Sequence, residues 1–360
     1  ERSGVRLLGL TRLKLDGSFQ ITEDLSSFAG SPEIPLPTAR DHYRWAYARR
    51  IALFLAVKRL GADAVHLGDP HATPWLMPLT SCRRIVTCHD AIPMHFPQRY
   101  MGWRDGGPWL GAAIERHRYR SADLVVAISD ATLRDVLTIH GVPGERAVRV
   151  YNGVDVEYWA REPSTAPAEV LAKFGLRPRA YAFYVGGYHW HKNVEGMLGG
   201  VARARAQGCA LELVWAGQIS TERQDKIRAL AANLGVNDAL RFIGYVSDEE
   251  VNVLYRAAVA HTLLSRYEGF GLTVIEAMAS GAPVITTAEG SLAELAGEAA
   301  ITVAPDDHEA IGAALARLQW DETFRQELIT RGKQRAPRFS LDVQARAMMD
   351  VYCRFLGDAR

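Results

Sequence analysis

One stretch of the chain, residues 265–287, reads SRYEGFGLTVIEAMASGAPVITT. Its glutamates Glu268 and Glu276 are separated by seven residues, and the apolar run after GFG predicts a helix over about 273–280. The glycines allow backbone amides to approach a ligand closely, and the start of a helix carries a partial positive charge that suits a phosphate. The stretch therefore predicts a phosphate-binding loop and a helix whose carboxylate can accept hydrogen bonds from vicinal hydroxyls, such as those of a ribose.

Short apolar runs alternate with helical patterns along most of the chain. Runs such as RRIVTC, LVVA, YAFYV and LELVWA are typical of buried parallel strands. This alternation predicts an α/β protein with parallel sheets and right-handed crossovers. The segment 158–170 contains two prolines and several small polar residues, and it is predicted to be a linker. The expected fold is therefore two Rossmann-like lobes whose parallel sheets face a cleft that binds ligands.

The composition excludes several classes of function. The 360 residues are 48% hydrophobic and 23% charged, which is ordinary for a globular protein of two domains. A net charge of +1 gives no reason to expect nucleic acid as a partner. The sequence has no run of about 18 apolar residues that would predict a membrane-spanning helix. The four cysteines show no CxxC spacing, so neither a zinc site nor a disulfide framework is predicted, and a reducing cytoplasm fits best.

The stretch EGFGLTVIEAMASGAPVI resembles the E-x7-E signature of the family 4 retaining glycosyltransferases, which have the GT-B fold. Further blocks resemble the same family, in the same order, from about residue 60 to the C-terminus. They are IVTCHDAIPMHFP, RYRSADLVVAISDATLRDVL, VRVYNGVD, YVGGYHWHKN and TTAEGSLAELAGEAAITVAPDD. The resemblance implies transfer of a hexose from a nucleotide-diphosphate sugar.

The resemblance also implies a role for each residue that matches a family motif. His89, Lys192 and Glu268 correspond to the catalytic positions: the histidine faces the reacting sugar, the lysine neutralises the diphosphate, and the glutamate lies near the sugar hydroxyls. The implied donor-binding residues are Gly186, Gly187, His191, Val246, Phe270, Gly271, Leu272 and Glu276. Among these, Glu276 corresponds to the residue that holds the ribose. A histidine at the end of a buried strand is also often purely structural, and that alternative remains for His89.

The expected chemistry is stabilisation of a leaving group. Breaking a glycosyl–phosphate bond builds negative charge on the diphosphate, which a lysine and a helix start can stabilise. No Asp-x-Asp metal motif occurs in the sequence, so a metal-independent enzyme without a cofactor is expected. The family commonly has an arginine where this chain has His191 and a proline where it has Thr273. A histidine titrates near pH 6.5, so a donor facing His191 would bind more tightly as the pH falls from about 8 to about 6.

The predicted domains are 1–157 for the N-terminal acceptor-binding lobe and 158–339 for the nucleotide-sugar-binding lobe. A final helix, 340–360, is expected to cross back to the N-terminal lobe, as the GT-B resemblance implies. The chain opens on a strand–turn–strand pattern, so the first strand and helix of a GT-B lobe are expected to be missing from this sequence. Basic and aromatic residues interleave over 40–60, which favours a helix with a solvated basic face; contact with an anionic membrane surface is the alternative.

GDP-mannose is the expected donor, with UDP-linked sugars next, because the phosphate-loop type resembles that of mannosyltransferases. The expected acceptor is a glycan or a lipid-linked glycan in polysaccharide biosynthesis, and the expected location is the cytoplasm or the inner face of the plasma membrane. Three alternatives remain: an epimerase or phosphorylase of the same architecture, an NAD-dependent oxidoreductase, and a non-catalytic sugar-binding relic. The oxidoreductase is disfavoured because no complete GxGxxG follows a first strand.

Overall fold

The computed structural model describes residues 9–13, 19–22, 51, 53–68, 81–102 and 107–357, and it divides into two compact units. Unit 1 comprises Glu1–Val150 and Arg346–Arg360, and unit 2 comprises Tyr151–Ala345. The strands are β1 (Gly9–Leu13), β2 (Phe19–Thr22), β3 (Ala64–Leu67), β4 (Arg83–Cys88), β5 (Leu124–Ala127), β6 (Ala147–Arg149), β7 (Tyr181–Val185), β8 (Glu212–Ala216), β9 (Leu240–Gly244), β10 (Ala260–Leu263), β11 (Val284–Thr287) and β12 (Ile301–Val303). The helices are α1 (53–60), α2 (Ile92–His95), α3 (Pro97–Tyr100), α4 (Gly107–Arg120), α5 (Asp130–Thr138), α6 (Val156–Ala160), α7 (Pro167–Lys173), α8 (Val194–Ala206), α9 (Thr221–Asn233), α10 (Asp248–Ala257), α11 (Leu272–Ser280), α12 (Leu292–Ala296), α13 (His308–Trp320), α14 (Glu322–Arg335) and α15 (Leu341–Gly357).

Unit 1 contains a four-stranded parallel sheet in the order β3-β4-β5-β6, together with the antiparallel pair β1-β2. The pair confirms the two strands predicted at the start of the chain, while the predicted turn between them lies outside the described residues. Successive residues of β4 face opposite sides of the sheet, so that Ile85 packs with Val351 and Phe355 of α15, while Val86 packs with Tyr119 of α4. Both faces of the sheet are thus covered by helices, as a parallel sheet requires.

Unit 2 contains a six-stranded, fully parallel sheet in the order β12-β11-β10-β7-β8-β9. From β7, the strands follow chain order outward through β8 to β9. The next strand in the chain, β10, pairs with the opposite side of β7. This is the doubly wound arrangement, in which the strand order reverses between β7 and β10. The two parallel sheets with flanking helices confirm the predicted α/β class and the Rossmann-like lobes.

The linker prediction for 158–170 is wrong for most of its length. Asp155 caps α6 by accepting a hydrogen bond from the backbone N–H of Tyr158, and α7 begins at Pro167. The side chain of Trp159 is buried against the ring of Tyr255, at 5.9 Å between centroids. Proline and small polar residues therefore start and separate two short helices here, because tertiary packing on unit 2 offsets the weak local helical signal.

The basic and aromatic segment predicted as one helix over 40–60 is only partly described. Residues 53–60 form α1, whereas 40–50 lie outside the described residues.

The exposed side chain of Trp109 lies in the first turn of α4, and Trp103 falls outside the described part of the chain. No helix within the described ranges is long and apolar enough to cross a bilayer.

Candidate functional site

The predicted donor residues of unit 2 gather at the carboxyl ends of neighbouring strands. The loop after β7, residues 186–193, and the loop after β10, residues 264–271, leave the sheet side by side, because β7 pairs directly with β10. This is the point at which the strand order reverses. In open α/β sheets, ligands bind outside the carboxyl ends of the strands at such a point.

Lys192 and Glu268 form an ion pair across these two loops. The Lys192 Nζ lies 2.7 Å from Glu268 Oε1, and the Glu268 side chain is only 9% exposed. The hydroxyl of Ser265 donates a hydrogen bond to the same carboxylate oxygen. The structure thus brings two of the three predicted catalytic residues into contact, although 76 residues separate them in sequence.

The loop that carries Glu268 is held by the segment before α12. Ser291 is fully buried, and its backbone N–H donates to the carbonyl of Glu268 at 3.0 Å. Its hydroxyl donates to the carbonyls of Glu268 and Phe270. Gly290 is required beside it, because a Cβ atom at that position would overlap the Glu268 carbonyl. Sequence reasoning missed Ser291; the block that contains it was recognised only as a family resemblance.

The first turn of α11 follows Gly271, whose φ of 121° lies in the region that favours glycine. Phe270 is buried and Leu272 is exposed. No side chain in the described part of the chain caps this helix, so its start presents backbone N–H groups and the positive end of the helix dipole. The arrangement suits an anion, as the sequence predicts.

Replacing Gly271 with alanine is expected to destabilise unit 2 by about 3 kcal/mol, through backbone strain and overpacking. The added Cβ would lie 2.8 Å from Cδ2 of the fully buried Leu292. Gly208→Ala is a matched control, since Gly208 also has a positive φ but has no atom within 4 Å of the Cβ position. It should cost about 1 kcal/mol. Equal losses in urea unfolding would show that the contact with Leu292 is not a constraint.

Glu276 lies one turn into α11 and is bonded to a buried tyrosine. The hydroxyl of Tyr255 donates to Glu276 Oε2 at 3.4 Å. Burial raises the pKa of the Glu276 carboxyl to about 7, although the Tyr255 hydrogen bond opposes this rise. A carboxylate in this setting can accept hydrogen bonds from a diol, and it is readily protonated near neutral pH.

Thr273 replaces the proline common in the family, and the structure gives it a partner. The fully buried His261 lies within hydrogen-bond distance of the Phe183 carbonyl through Nδ1, at 3.2 Å. Because a carbonyl only accepts, Nδ1 carries the proton and Nε2 accepts from the Thr273 hydroxyl, also at 3.2 Å. The first turn of α11 is thereby tied to β10 and β7.

His191 is buried, and its ring stacks on that of His189 with 5.5 Å between centroids. Burial lowers the pKa of His191 to about 4, against the opposing charge of Glu268. At this pKa the ring is neutral from pH 8 to pH 6. The predicted gain in donor affinity at lower pH depends on a diphosphate bound against the ring that raises this pKa, and it stays a prediction.

The phosphate loop is shaped by Asn193 and Arg266, which sequence reasoning did not single out. Asn193 adopts a left-handed conformation, caps α8 through Gly196, and donates from Nδ2 to the Pro305 carbonyl. Arg266 donates to Asn193 Oδ1 at 3.0 Å and pairs with Asp306. An arginine is thus present beside the phosphate loop. Its hydrogen bonds are made within the protein, where they hold the loop backbone next to Lys192.

The remaining predicted donor-binding residues follow β7 and β9, the two strands that flank β8 in the sheet. Gly186 directly follows β7, and its carbonyl accepts a hydrogen bond from the indole N–H of Trp215 at 2.9 Å. The carbonyl of Gly187 accepts one from the Tyr184 hydroxyl at 3.0 Å. Val246 is buried in the loop after β9. All predicted donor residues therefore lie along the carboxyl edge of the unit 2 sheet and on α11.

His89 belongs to unit 1, where it follows β4 with an exposed ring. Its Nε2–H donates to the carbonyl of Gly68 at 2.6 Å, since that oxygen can only accept. Asp90 accepts a hydrogen bond from the backbone N–H of Ile92, a local role at the start of α2. The His66 ring is hydrogen-bonded to the side chains of Tyr352 and Thr87.

In the described ranges, no three His, Cys, Asp or Glu side chains are grouped so that they could hold a metal ion. The four cysteines, all of which are described, are free thiols.

Comparison with known proteins assigns the chain to a family. Residues 171–335 match the family model described as Glycosyl transferases group 1, and residues 19–158 match the model described as Glycosyltransferase Family 4. The chain is 26% identical over 338 residues to the O-antigen chain mannosyltransferase B of Escherichia coli, covering 88% of this chain and 87% of the relative. It is 29% identical over 328 residues to a glycogen synthase of Mycobacterium tuberculosis, covering 87% and 76%, respectively.

The fold is shared with a solved sucrose-phosphate synthase from Thermosynechococcus elongatus. The TM-score is 0.75 at 22% identity, covering 92% of this chain and 83% of the other. The two family-model matches contain both parallel sheets and the two glutamates of the E-x7-E stretch. The chain therefore belongs to the group 1, family 4 glycosyltransferases and has the GT-B fold.

Proposed function

We propose that this glycosyltransferase moves a mannosyl group from GDP-mannose to a glycan or lipid-linked glycan acceptor during polysaccharide biosynthesis. The observation that carries the proposal is the contact between Lys192 and Glu268, at the point where the strand order reverses. The loop that carries Glu268 leads directly into α11, the helix that carries Glu276. The name of the Escherichia coli mannosyltransferase supports mannose and a polysaccharide acceptor. The glycogen synthase is similar at a comparable identity, so a UDP-linked sugar is the second donor to test.

In the proposed reaction, the bond between the anomeric carbon and the diphosphate oxygen breaks as the acceptor oxygen bonds to that carbon, and the acceptor hydroxyl proton passes to the leaving diphosphate. Negative charge grows on the leaving diphosphate, where Lys192 and the first turn of α11 would stabilise it. Glu276 would accept hydrogen bonds from the ribose hydroxyls, and Glu268 would bind hydroxyls of the sugar. The proposal includes retention of the anomeric configuration, independence from metal, and a role for His89 facing the sugar.

A panel of nucleotide sugars tests the donor. A ligand that binds only the folded protein raises its stability by about 2.7 kcal/mol at one hundred times its dissociation constant. We expect GDP-mannose and GDP to raise the melting temperature most, UDP-sugars to raise it less, and Glu276→Ala to abolish the shift. A shift by UDP-glucose alone would replace mannose in the proposal, and no shift with any nucleotide sugar would refute it.

Product analysis separates transfer from its alternatives. We expect release of GDP only with an acceptor glycan, an α-linked product when the donor is α-linked, and an undiminished rate in EDTA. Conversion of the nucleotide sugar to an epimer without acceptor would instead support an epimerase. Loss of the rate in EDTA with recovery on adding Mg²⁺ would contradict metal independence.

A further inference from the structure

Tyr255 lies behind the proposed ribose-binding residue and is fully buried on α10. Its ring makes edge-on contacts with Trp159, Phe183 and His261, at 5.9, 5.4 and 5.1 Å between centroids. Three aromatic contacts leave the ring little freedom to rotate or shift. The hydroxyl is therefore fixed in the direction of Glu276 Oε2, 3.4 Å away.

We propose that Tyr255 is a positioning residue for donor binding: its hydroxyl orients the Glu276 side chain and stabilises the charged carboxylate that would receive the ribose hydroxyls. The inference rests on the proposed function, since it assigns Glu276 to the nucleotide. It goes beyond that function because Tyr255 would act only through Glu276 and would not touch the donor.

The electrostatic surroundings make this hydrogen bond consequential. Burial raises the pKa of Glu276, and Asp248 at the start of α10 raises it further through its negative charge. His261 of β10 faces the same region, but burial lowers its pKa to about 3, so its ring is neutral. Against these two effects, the hydrogen bond from the Tyr255 hydroxyl favours the charged form of Glu276. Without it, a larger fraction of Glu276 would be protonated at pH 7.

The first experiment needs no donor. Urea unfolding of the wild type should show stability falling as the pH rises from about 4.5, because ionised Glu276 is costly in the fold, and levelling off near pH 7, the folded pKa of Glu276. In Tyr255→Phe, we expect this upper limit to move upward by about one unit, because the charged form loses a hydrogen bond. In a Glu276→Gln background, Tyr255→Phe should not change the pH dependence of stability in this range.

Tyr181→Phe is the matched control. Tyr181 is almost fully buried on β7, and its hydroxyl donates to the neutral carbonyl of Leu254 at 2.9 Å. This variant should lose stability equally at every pH, since its partner does not titrate. A merely structural role for Tyr255 would give the same flat loss.

The second experiment titrates GDP and GDP-mannose by calorimetry at pH 6.5, 7.5 and 8.5. We expect Tyr255→Phe to weaken binding about tenfold at pH 6.5, with much of the loss recovered at pH 8.5 as Glu276 ionises; Tyr181→Phe should bind normally. If the upper limit of the stability loss does not move in Tyr255→Phe and nucleotide affinity is normal, the inference alone is overturned. If that limit moves but the wild type binds no nucleotide sugar, the proposed function fails, and the donor role of Tyr255 fails with it.

Discussion

Replacing Lys192 with alanine is expected to reduce the rate of glycosyl transfer by about 100- to 1000-fold. That range is typical for the loss of one group that stabilises developing negative charge in an active site. The lysine is placed by the short helical turn Trp190–Lys192, which Asn193 ends in a left-handed conformation. Its ammonium group lies 2.7 Å from a carboxylate oxygen of the buried Glu268, and this ion pair fixes the position of the cation. Such preorganisation is what makes electrostatic stabilisation effective.

A second lysine–glutamate pair provides the control for this variant. Lys226 Nζ also lies 2.7 Å from a glutamate oxygen, that of Glu222, but both side chains are well exposed on α9. Lys226→Ala should therefore leave the rate and the stability nearly unchanged. Lys192→Arg keeps a cation beside the buried Glu268 and should recover part of the rate. Steady-state assays of GDP release decide the matter: a Lys192→Ala enzyme with more than half of the wild-type rate would remove Lys192 from the mechanism.

Replacing Glu276 with glutamine should weaken nucleotide-sugar binding and stabilise the empty protein. Hydrogen bonds to a charged group are worth about 1.5–3 kcal/mol, so the affinity for GDP-mannose should fall about 10- to 100-fold. The stability gain follows from the raised pKa. With a pKa of 4.5 unfolded and about 7 folded, the ionised carboxylate costs about 3 kcal/mol of folding free energy at pH 8. Glutamine cannot ionise and avoids this cost.

The sign of the effect is what makes the variant informative. A carboxyl group whose pKa is higher in the folded than in the unfolded protein costs least stability below its unfolded pKa. The protein therefore loses stability as the pH rises from about 4.5 to about 7. Glu276→Gln should therefore gain about 3 kcal/mol at pH 8 and less than about 1 kcal/mol at pH 5. Urea unfolding at both pH values, with calorimetric titration of the donor, measures both effects. A destabilised variant at pH 8, or one that binds the donor normally, would contradict the assignment.

Local signals made the central stretch predictable. The helix expected over about 273–280 extends from Leu272 to Ser280, because a glycine precedes it, apolar residues follow its inner face, and Gly281 ends it in a left-handed conformation. The alternation of apolar runs likewise predicted two parallel sheets, since each buried strand carries its own signature. The same local logic failed at 158–170, where burial of Trp159 stabilises a helix too short to be stable by itself.

The electrostatic character of the site was not predictable in this way. His191 reads as a loop residue that could titrate near neutral pH, yet its burial lowers its pKa to about 4. The local sequence pattern indicates only that Tyr255 lies on the apolar face of a helix. In the structure, its hydroxyl donates a hydrogen bond to the carboxylate of Glu276, 21 residues away in the chain. Desolvation and hydrogen bonding set these properties, and both depend on what the fold packs around each group.

The α/β class, the family resemblance and the identity of the residues available for donor binding could all be predicted from the sequence. Which of these residues come into contact depends on the three-dimensional fold. The contact between Lys192 and Glu268 exists because β10 lies beside β7, although β8 and β9 lie between these two strands in the chain. Strand order in a sheet is fixed by packing of the whole lobe, which no local pattern of residues encodes.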